Sequence, residues 1–275
     1  MTEDNRIQSV VIVGARGRMG KALISEVIRS EDLALVSAVE HSGAPGLGED
    51  VGHIHNLPAT DVQLVDHLDP PRGSVVIDFS LPQATPTVLE QCRQRGIPLV
   101  LGTTGVDNDT LDKIEKAAAE IPIVYAANYS VGVTLLLKLA GIAAQALGEG
   151  WDAEIVELHH RHKRDAPSGT ALRVGKAIAD ARKQSLADIA RTVRDGEVGP
   201  RTNEEIGIMT LRGGDSVGEH TVMFLGAAER LELVHRATDR AIFARGAIRA
   251  ARWVVQRRPG LYDMADVLGL GELGA

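Results

Sequence analysis

Val10-Val11-Ile12-Val13-Gly14-Ala15-Arg16-Gly17-Arg18-Met19-Gly20 decides how the first half of this chain folds. The four leading residues are all apolar and β-branched, the composition of a short buried strand. Glycines at 14, 17 and 20 then make a tight turn. Met19, Leu23, Ile24, Val27 and Ile28 follow at helical spacing. In a dinucleotide-binding turn of this kind, glycines let the backbone close on a pyrophosphate, which rests on the amides at the helix N-terminus. The spacing here is Gly-x-x-Gly-x-x-Gly rather than Gly-x-Gly-x-x-Gly, so the bare motif also suits a simple α/β turn. Context favours nucleotide. A second strand, Leu33 to Val39, ends at Glu40, 20 positions beyond Gly20, where an acid binds ribose hydroxyls.

Outward from this turn the pattern repeats. Ser74 to Ile77 enters Asp78, Pro98 to Leu101 enters Gly102-Thr103-Thr104-Gly105, and Ile121 to Tyr125 enters Ala126-Ala127-Asn128. Helical patterns fill the gaps, including Thr85 to Arg95 and Thr110 to Glu120, whereas 41–60 reads as a loop. Strands alternating with helices imply βαβ units and a parallel sheet. Ligands of such sheets bind beyond the carboxyl ends of the strands, where Thr103, Thr104 and Asn128 supply hydrogen bonds and small neighbours leave room for a nicotinamide and its ribose. Each of these loops is equally compatible with ordinary helix capping, and Asp78 reads as a structural cap.

The pattern changes near residue 130. A helix over Val131 to Leu147 precedes strand-like segments at Ala153 to Leu158, Ile206 to Arg212, Val217 to Phe224 and Leu231 to Ala237. Charged and glycine turns between them suggest an open, mainly antiparallel or mixed sheet. Arg194 to Glu205 is a mobile-loop candidate, and Asp239 to Arg257 reads as a closing helix stopped by Pro259-Gly260. The fold class expected is therefore α/β, a Rossmann-type parallel sheet domain plus a smaller α+β domain with an open mixed sheet.

Bulk properties narrow the partners. A chain of 275 residues suggests two domains, and 44% hydrophobic content supplies a core that only 3% aromatics cannot dominate. A formal net charge of -7 argues against nucleic acid. Cys92 stands alone, so no internal disulfide forms. The polar N-terminus lacks a signal-peptide core, and the apolar stretch Val133 to Leu147, interrupted by Lys138, is too short to span a bilayer. A cytoplasmic protein with no membrane partner is the expectation.

Against that acidic background, three histidines, two arginines and a lysine crowd into His159 to Arg164. The helix-start signal Pro167-Ser168-Gly169-Thr170 follows directly. His159 and His160, at the end of a strand, point to opposite sides. First-turn amides at Gly169 and Thr170, with the positive end of the helix dipole, suit a carboxylate. Lysine is a charged donor, and histidine gives or takes a proton near neutrality. A dicarboxylate that must be protonated during its reaction needs this set. Zinc is a competing reading of the three histidines, opposed by diverging strand neighbours and flanking cations. A nucleic-acid patch lacks interleaved aromatics, and a solvated basic loop also remains open.

Glu157-Leu158-His159-His160-Arg161-His162-Lys163 followed by Asp165-Ala166-Pro167-Ser168-Gly169-Thr170-Ala171 resembles the signature of the dihydrodipicolinate reductase family. The likeness extends over nearly the whole chain, through Gly14 to Gly20, Gly102 to Gly105, Ala126 to Gly132, Val217 to Thr221 and Gly260 to Met264. It implies hydride transfer from NADH and/or NADPH to 4-hydroxy-tetrahydrodipicolinate, with loss of water, in lysine and diaminopimelate biosynthesis. On the matching positions it implies His159 and Lys163 as the acid/base pair. It gives His160, Gly169 and Thr170 to the substrate carboxylates. Gly14, Ala15, Arg16, Gly17, Arg18, Met19, Glu40, Gly102, Thr103, Thr104, Ala126, Ala127, Asn128 and Tyr129 would hold the cofactor, with no metal.

The resemblance also implies a dinucleotide-binding domain of residues 1–129 and 239–275. Residues 130–238 would form a substrate-binding domain that builds a homotetramer through its sheet. The two domains are expected to close on hinges near Asn128 to Gly132 and Thr238 to Arg240. Arg161, His162 and Arg164 are left as field-setting or structural residues. Two positions depart from the family pattern. His41 and Leu81 stand where arginines that meet a 2′-phosphate are common, so NADH should serve at least as well as NADPH. Tyr129 replaces a frequent phenylalanine. Two other classes compete: a non-catalytic NAD(P)-sensing Rossmann regulator and a metal-dependent hydrolase.

Overall fold

The computed structural model describes residues 7–271. In chain order the first elements are β1 (Gln8–Val13), α1 (Arg18–Ile28), β2 (Leu33–Val39), α2 (Val51–Ile54), β3 (Leu64–Val65), β4 (Val75–Asp78) and α3 (Thr85–Arg95). Next come β5 (Leu99–Leu101), α4 (Asn108–Ala118), β6 (Pro122–Tyr125), α5 (Val131–Leu147), β7 (Asp152–His159), α6 (Gly169–Ala181) and α7 (Leu186–Ile189). The last are β8 (Ala190–Arg191), β9 (Ile206–Arg212), β10 (Gly218–Leu225), β11 (Arg230–Ala237), α8 (Ala241–Val254), β12 (Gly260–Tyr262) and α9 (Met264–Val267). Two compact units result. Of the described residues, one unit takes 7–130 together with Ala241–Gly269, and the other takes Val131–Arg240 with 270–271.

The first unit holds a seven-stranded sheet in the order β12-β6-β5-β4-β1-β2-β3, with every pairing parallel. Strands β1 and β4 are neighbours although four elements separate them in the chain, so the winding reverses there and opens a crevice at their carboxyl ends. The apolar runs read as strands are buried because helices cover both faces. Val11, Val76, Leu99 and Ile123 pack with Val88, Leu89 and Ile114 of α3 and α4. Helix α8 completes this unit with a surface of Ala244, Gly246, Ala247, Ala250 and Ala251. A Cβ at Gly246 would stand 1.6 Å from the Tyr129 carbonyl oxygen, so this helix lies directly against backbone. Small residues at such contacts explain how a chain with few aromatics still closes its core.

The second unit is a five-stranded mixed sheet, β11-β10-β7-β9-β8. Pairs β10/β11 and β10/β7 are antiparallel, and β7/β9 and β8/β9 are parallel. Strict alternation in β7 and β10 sends Ala153, Ile155, Val222 and Phe224 under α5 and α6, where Leu136, Ala140, Val174 and Ile178 meet them. The opposite face carries Val156, Leu158, Met209, Leu211, Met223 and Val234, with Leu211 and Val234 about half exposed.

Differences from expectation have local causes. The stretch 41–60 contains the short helix α2, capped by the Asp50 side chain, which accepts from the His53 amide. Four residues are too few for a periodic signal. Strands β3, β8 and β12 were not expected for the same reason. Strand β7 runs to His159, one residue further, because His159 pairs with Arg212 of β9. The segment 194–205 forms no regular element, yet it is clamped. Arg194 donates to both Glu154 carboxylate oxygens and to Glu205, and Arg201 pairs with Asp152. Among the described residues, no helix is long and apolar enough to cross a membrane.

Candidate active site

The glycine turn is built by sterics. Gly14 has φ of +76°, and a Cβ on it would fall 2.7 Å from the Phe79 carbonyl oxygen at the end of β4. A Cβ on Gly20 would meet the Ala15 carbonyl oxygen at 2.3 Å. The amides of Gly14 and Ala15 both donate to the Val39 carbonyl, tying the turn to β2. His55 contributes from the supposed loop, where its Nε2–H donates to the Ala15 carbonyl at 2.8 Å. Gly17 caps α1 without a side-chain acceptor, whereas Asp107 and Ser168 each accept from one amide of α4 and α6, those of Thr110 and Ala171. The start of α1 thus keeps amides for an outside anion.

Glu40 lies beside this turn. Its carboxylate accepts from the Arg16 amide at 3.1 Å and from the His41 amide and Nδ1 at 3.1 and 3.0 Å. Burial alone would raise its pKa, but those donors outweigh burial and hold the carboxyl below its ordinary value. Met19, Phe79, Leu81, Gly102, Thr103, Thr104, Ala127, Asn128 and Tyr129 line a cavity of about 470 Å³ at the ends of β4, β5 and β6. Ala126 is buried behind it. The Tyr129 hydroxyl is committed elsewhere, within 3.0 Å of the Leu101 carbonyl and 2.9 Å of that of Val124. What Tyr129 offers the cavity is its ring, packed 5.4 Å from Phe79. Asp78 is fully buried and accepts from the Ser80 amide at 2.8 Å, and desolvation raises its pKa. A glycine turn with uncapped amides, an acid beside it and a cavity at the strand ends together fit a nicotinamide dinucleotide.

In the second unit, strand alternation puts Glu157 and His159 on the same face of β7, the one facing α6. His159 Nδ1 lies 2.5 Å from Glu157 Oε2. Glu157 has no solvent exposure. It also accepts from both Arg212 guanidinium nitrogens at 2.8 Å, from Thr210 Oγ1 at 3.1 Å and from the Ser168 amide at 3.0 Å. Burial would raise the Glu157 carboxyl, but Arg212, His159 and the amide bring it down to about 2. Burial also lowers the His159 imidazole, against the pull of Glu157 and with help from the Lys163 and Arg212 charges. His220 lies edge-on to His159 with ring centroids 5.3 Å apart. Its Nε2 is 3.2 Å from Ser168 Oγ, the oxygen that caps α6 by accepting from Ala171.

Lys163 sits in the turn after β7. Its amide donates to the His160 carbonyl, and its Nζ pairs with the exposed Asp165 at 2.9 Å. His160 points the other way, and its Nε2 accepts from Arg240 at 3.4 Å. Gly169 and Thr170 open α6. The structure therefore gathers His159, Lys163, Gly169 and Thr170 at one end of the mixed sheet. It adds Glu157, Arg212, His220 and Arg240, which the sequence reading did not single out. Glu157 was discoverable, since it is two residues before His159 on a strand. Arg212 and His220 come from strands more than 50 residues away, and nothing local announces them. Among the described residues, no three His, Cys, Asp or Glu side chains are grouped to hold a metal ion.

Family comparisons agree over most of the chain. Residues 8–129 match the family model for the dihydrodipicolinate reductase N-terminus, and residues 132–268 match that for its C-terminus. The chain belongs to the dihydrodipicolinate reductase family. It is accordingly a nicotinamide-dependent reductase with a Rossmann-like unit, and the non-catalytic sensor is set aside. A 4-hydroxy-tetrahydrodipicolinate reductase from Alkalilimnicola ehrlichii is 49% identical over 263 residues, covering 95% of this chain and 98% of the relative. One from Thiobacillus denitrificans is 48% identical with the same coverage. A solved dihydrodipicolinate reductase from a Paenisporosarcina species, bound to dipicolinate, superposes with a TM-score of 0.76 at 25% identity. That match covers 94% of this chain and 98% of the other. A probable dehydrogenase from Thermotoga maritima, 11% identical with a TM-score of 0.56, shares the fold alone.

Proposed function

We propose that this chain reduces 4-hydroxy-tetrahydrodipicolinate to tetrahydrodipicolinate, with loss of water, as a step of lysine and diaminopimelate biosynthesis. The observation that carries the reading is that both the glycine turn and the His159 to Thr170 segment fall inside the matched regions of one family. The dipicolinate bound to the solved relative supports a small cyclic dicarboxylate as the ligand class.

When bound, the reduced nicotinamide supplies the hydride. The chain's own residues do the rest. Amides at the start of α1 and Glu40 hold the dinucleotide, and Gly102 to Thr104 and Ala126 to Tyr129 shape the space for its ring. Gly169, Thr170 and His160 receive carboxylates, and Lys163 adds a positive charge beside them. His159 and Lys163 govern the proton that must reach the substrate as the hydride arrives. The linkers near Asn128 to Gly132 and Thr238 to Arg240 act as hinges.

NADH serves at least as well as NADPH in this reading. At the ribose acid, His41 offers its Nδ1 to Glu40 rather than a guanidinium to a 2′-phosphate, and Leu81, 69% exposed, brings no charge to the cavity. The uncovered row Val156, Leu158, Met209, Leu211 and Met223 supports assembly of four copies through the mixed sheet. One assay tests the function: NADH absorbance should fall when the enzyme meets the freshly condensed product of pyruvate and aspartate semialdehyde. No oxidation by folded, NADH-binding protein would overturn the reading. Steady-state rates with both cofactors test the preference, and a strong NADPH bias would refute it.

A further inference from the structure

The carboxylate of Glu157 is the most heavily engaged group in the second unit. Five donors converge on two oxygens: two guanidinium nitrogens of Arg212, Thr210 Oγ1, the Ser168 amide and His159 Nδ1. A buried charge needs such partners, yet a simple buried ion pair would need only Arg212. Two of the three further contacts reach functional elements. One holds the imidazole of His159, and the other holds the backbone where α6 begins, directly before Gly169 and Thr170. A carboxylate can only accept from the imidazole, so the proton between them sits on Nδ1. Nε2 is then the ring atom left for exchange. It faces Gly218 of β10, where a Cβ would stand 2.9 Å from it, so the glycine keeps that side open.

We propose that Glu157 is a positioning residue for the reaction: it locks His159 with its proton on Nδ1, so that Nε2 is the exchanging atom, and it ties that orientation to the helix start that receives the substrate carboxylate. The inference rests on the reductase reading above. In the step it supports, the His159 imidazolium releases its Nε2 proton to the substrate and remains neutral with Nδ1–H bound to Glu157. Over the whole reaction the substrate gains that proton together with the hydride, and its 4-hydroxyl leaves as water when the C–O bond breaks. Neutral Gln at 157 would keep the shape but lose the charge that favours the imidazolium. The other groups facing His159 are Arg212 on β9, Lys163 in the turn and His220 on β10. Each disfavours a further positive charge on His159, so Glu157 alone among these opposes the loss of its proton.

The test has two arms. In wild-type enzyme labelled with ¹⁵N-histidine, NMR should show neutral His159 protonated on Nδ1, and protonation on Nε2 would overturn the proposal without any variant. In Glu157→Gln, kcat should fall about 10²-fold while the KM for NADH changes little. The alkaline limb of the kcat profile should move about one pH unit toward acid. Unchanged kcat and an unmoved limb in a folded variant would overturn it. An inactive wild-type enzyme would instead sink the functional reading. An active wild type with an indifferent Glu157→Gln variant would sink only the positioning role.

Discussion

His220 should make the folded protein sensitive to mild acid, and the size of the effect follows from its surroundings. The side chain is 3% exposed and brought down to about 4 from an ordinary 6.5. Burial is the main cause, the His159 charge adds to it, and Glu157 opposes it. An unfolded histidine therefore takes a proton that the folded one refuses. The contribution to stability is complete above pH 6.5 and is lost as pH falls toward 4. At about 1.4 kcal/mol per unit, the ceiling is roughly 3 kcal/mol, of which about 2 kcal/mol disappears between pH 7 and pH 5. Glu157 does not confuse this window. Its carboxyl, held at about 2 against 4.5, loses its contribution only as pH falls from 4.5 toward 2. Replacing His220 with Gln keeps a polar partner for Ser168 Oγ and removes the titration. Urea unfolding at pH 7 and pH 5, at fixed protein concentration and followed by tryptophan fluorescence, should show the wild type losing about 2 kcal/mol more than the variant. His159 and His235 are also lowered by burial, but they are present in both proteins and fall out of the difference. Equal losses in the two proteins would refute the assignment of acid lability to His220.

Lys163→Ala should reduce turnover at least about 10²-fold while an NADH titration stays within about twofold, because Lys163 lies in the second unit and the glycine turn in the first. A large loss of NADH affinity would contradict that division. Gly20→Ala should weaken NADH about 10- to 100-fold with an unchanged circular dichroism spectrum, since the added Cβ meets the Ala15 carbonyl at 2.3 Å and must displace the glycine turn; normal NADH affinity would show that the turn is not the anchor. Asp165→Asn should leave substrate KM unchanged or lower it, and a tenfold rise would place Asp165 inside the binding site.

The first unit was largely legible because its signals are local. Val10 to Val13, Val75 to Ile77 and Leu99 to Leu101 are apolar runs buried on both faces, and each hands over to a helix at a recognisable turn. What escaped was short. β3 and β12 have two and three residues, and they exist only because a neighbouring strand offers a free edge. β11 is an edge strand, with Leu231 and Val234 exposed on opposite faces and neither face fully covered, so its alternation is imperfect. In the site, His159 and Lys163 stood out as a local excess of cations. Their regulators did not. Arg212 reaches Glu157 across 55 positions, and Ser168 meets His220 across 52. Such contacts follow from strand register, which the mixed sheet sets through pairings no single segment encodes.

The crowding of cations from 159 to 164 also changes meaning once the partners are known. The two residues of this segment assigned to the chemistry, His159 and Lys163, each have an acidic partner. Arg212 is spent on a fully buried carboxylate. Truncating one member of such a pair strands the other, so that contact is fixed in every state of the folded unit. Lys163 is paired differently. Its partner Asp165 is 60% exposed, and a pair of that kind is worth only about 1 kcal/mol or less. In the proposed reaction a dicarboxylate substrate would take the place of Asp165 at small cost, and the ammonium would meet the ligand without having been a naked charge beforehand. A deep pair sets where His159 points, and a shallow pair keeps Lys163 extended and available. The difference in burial between Glu157 and Asp165, two acids eight positions apart, is what separates geometry from binding in this site.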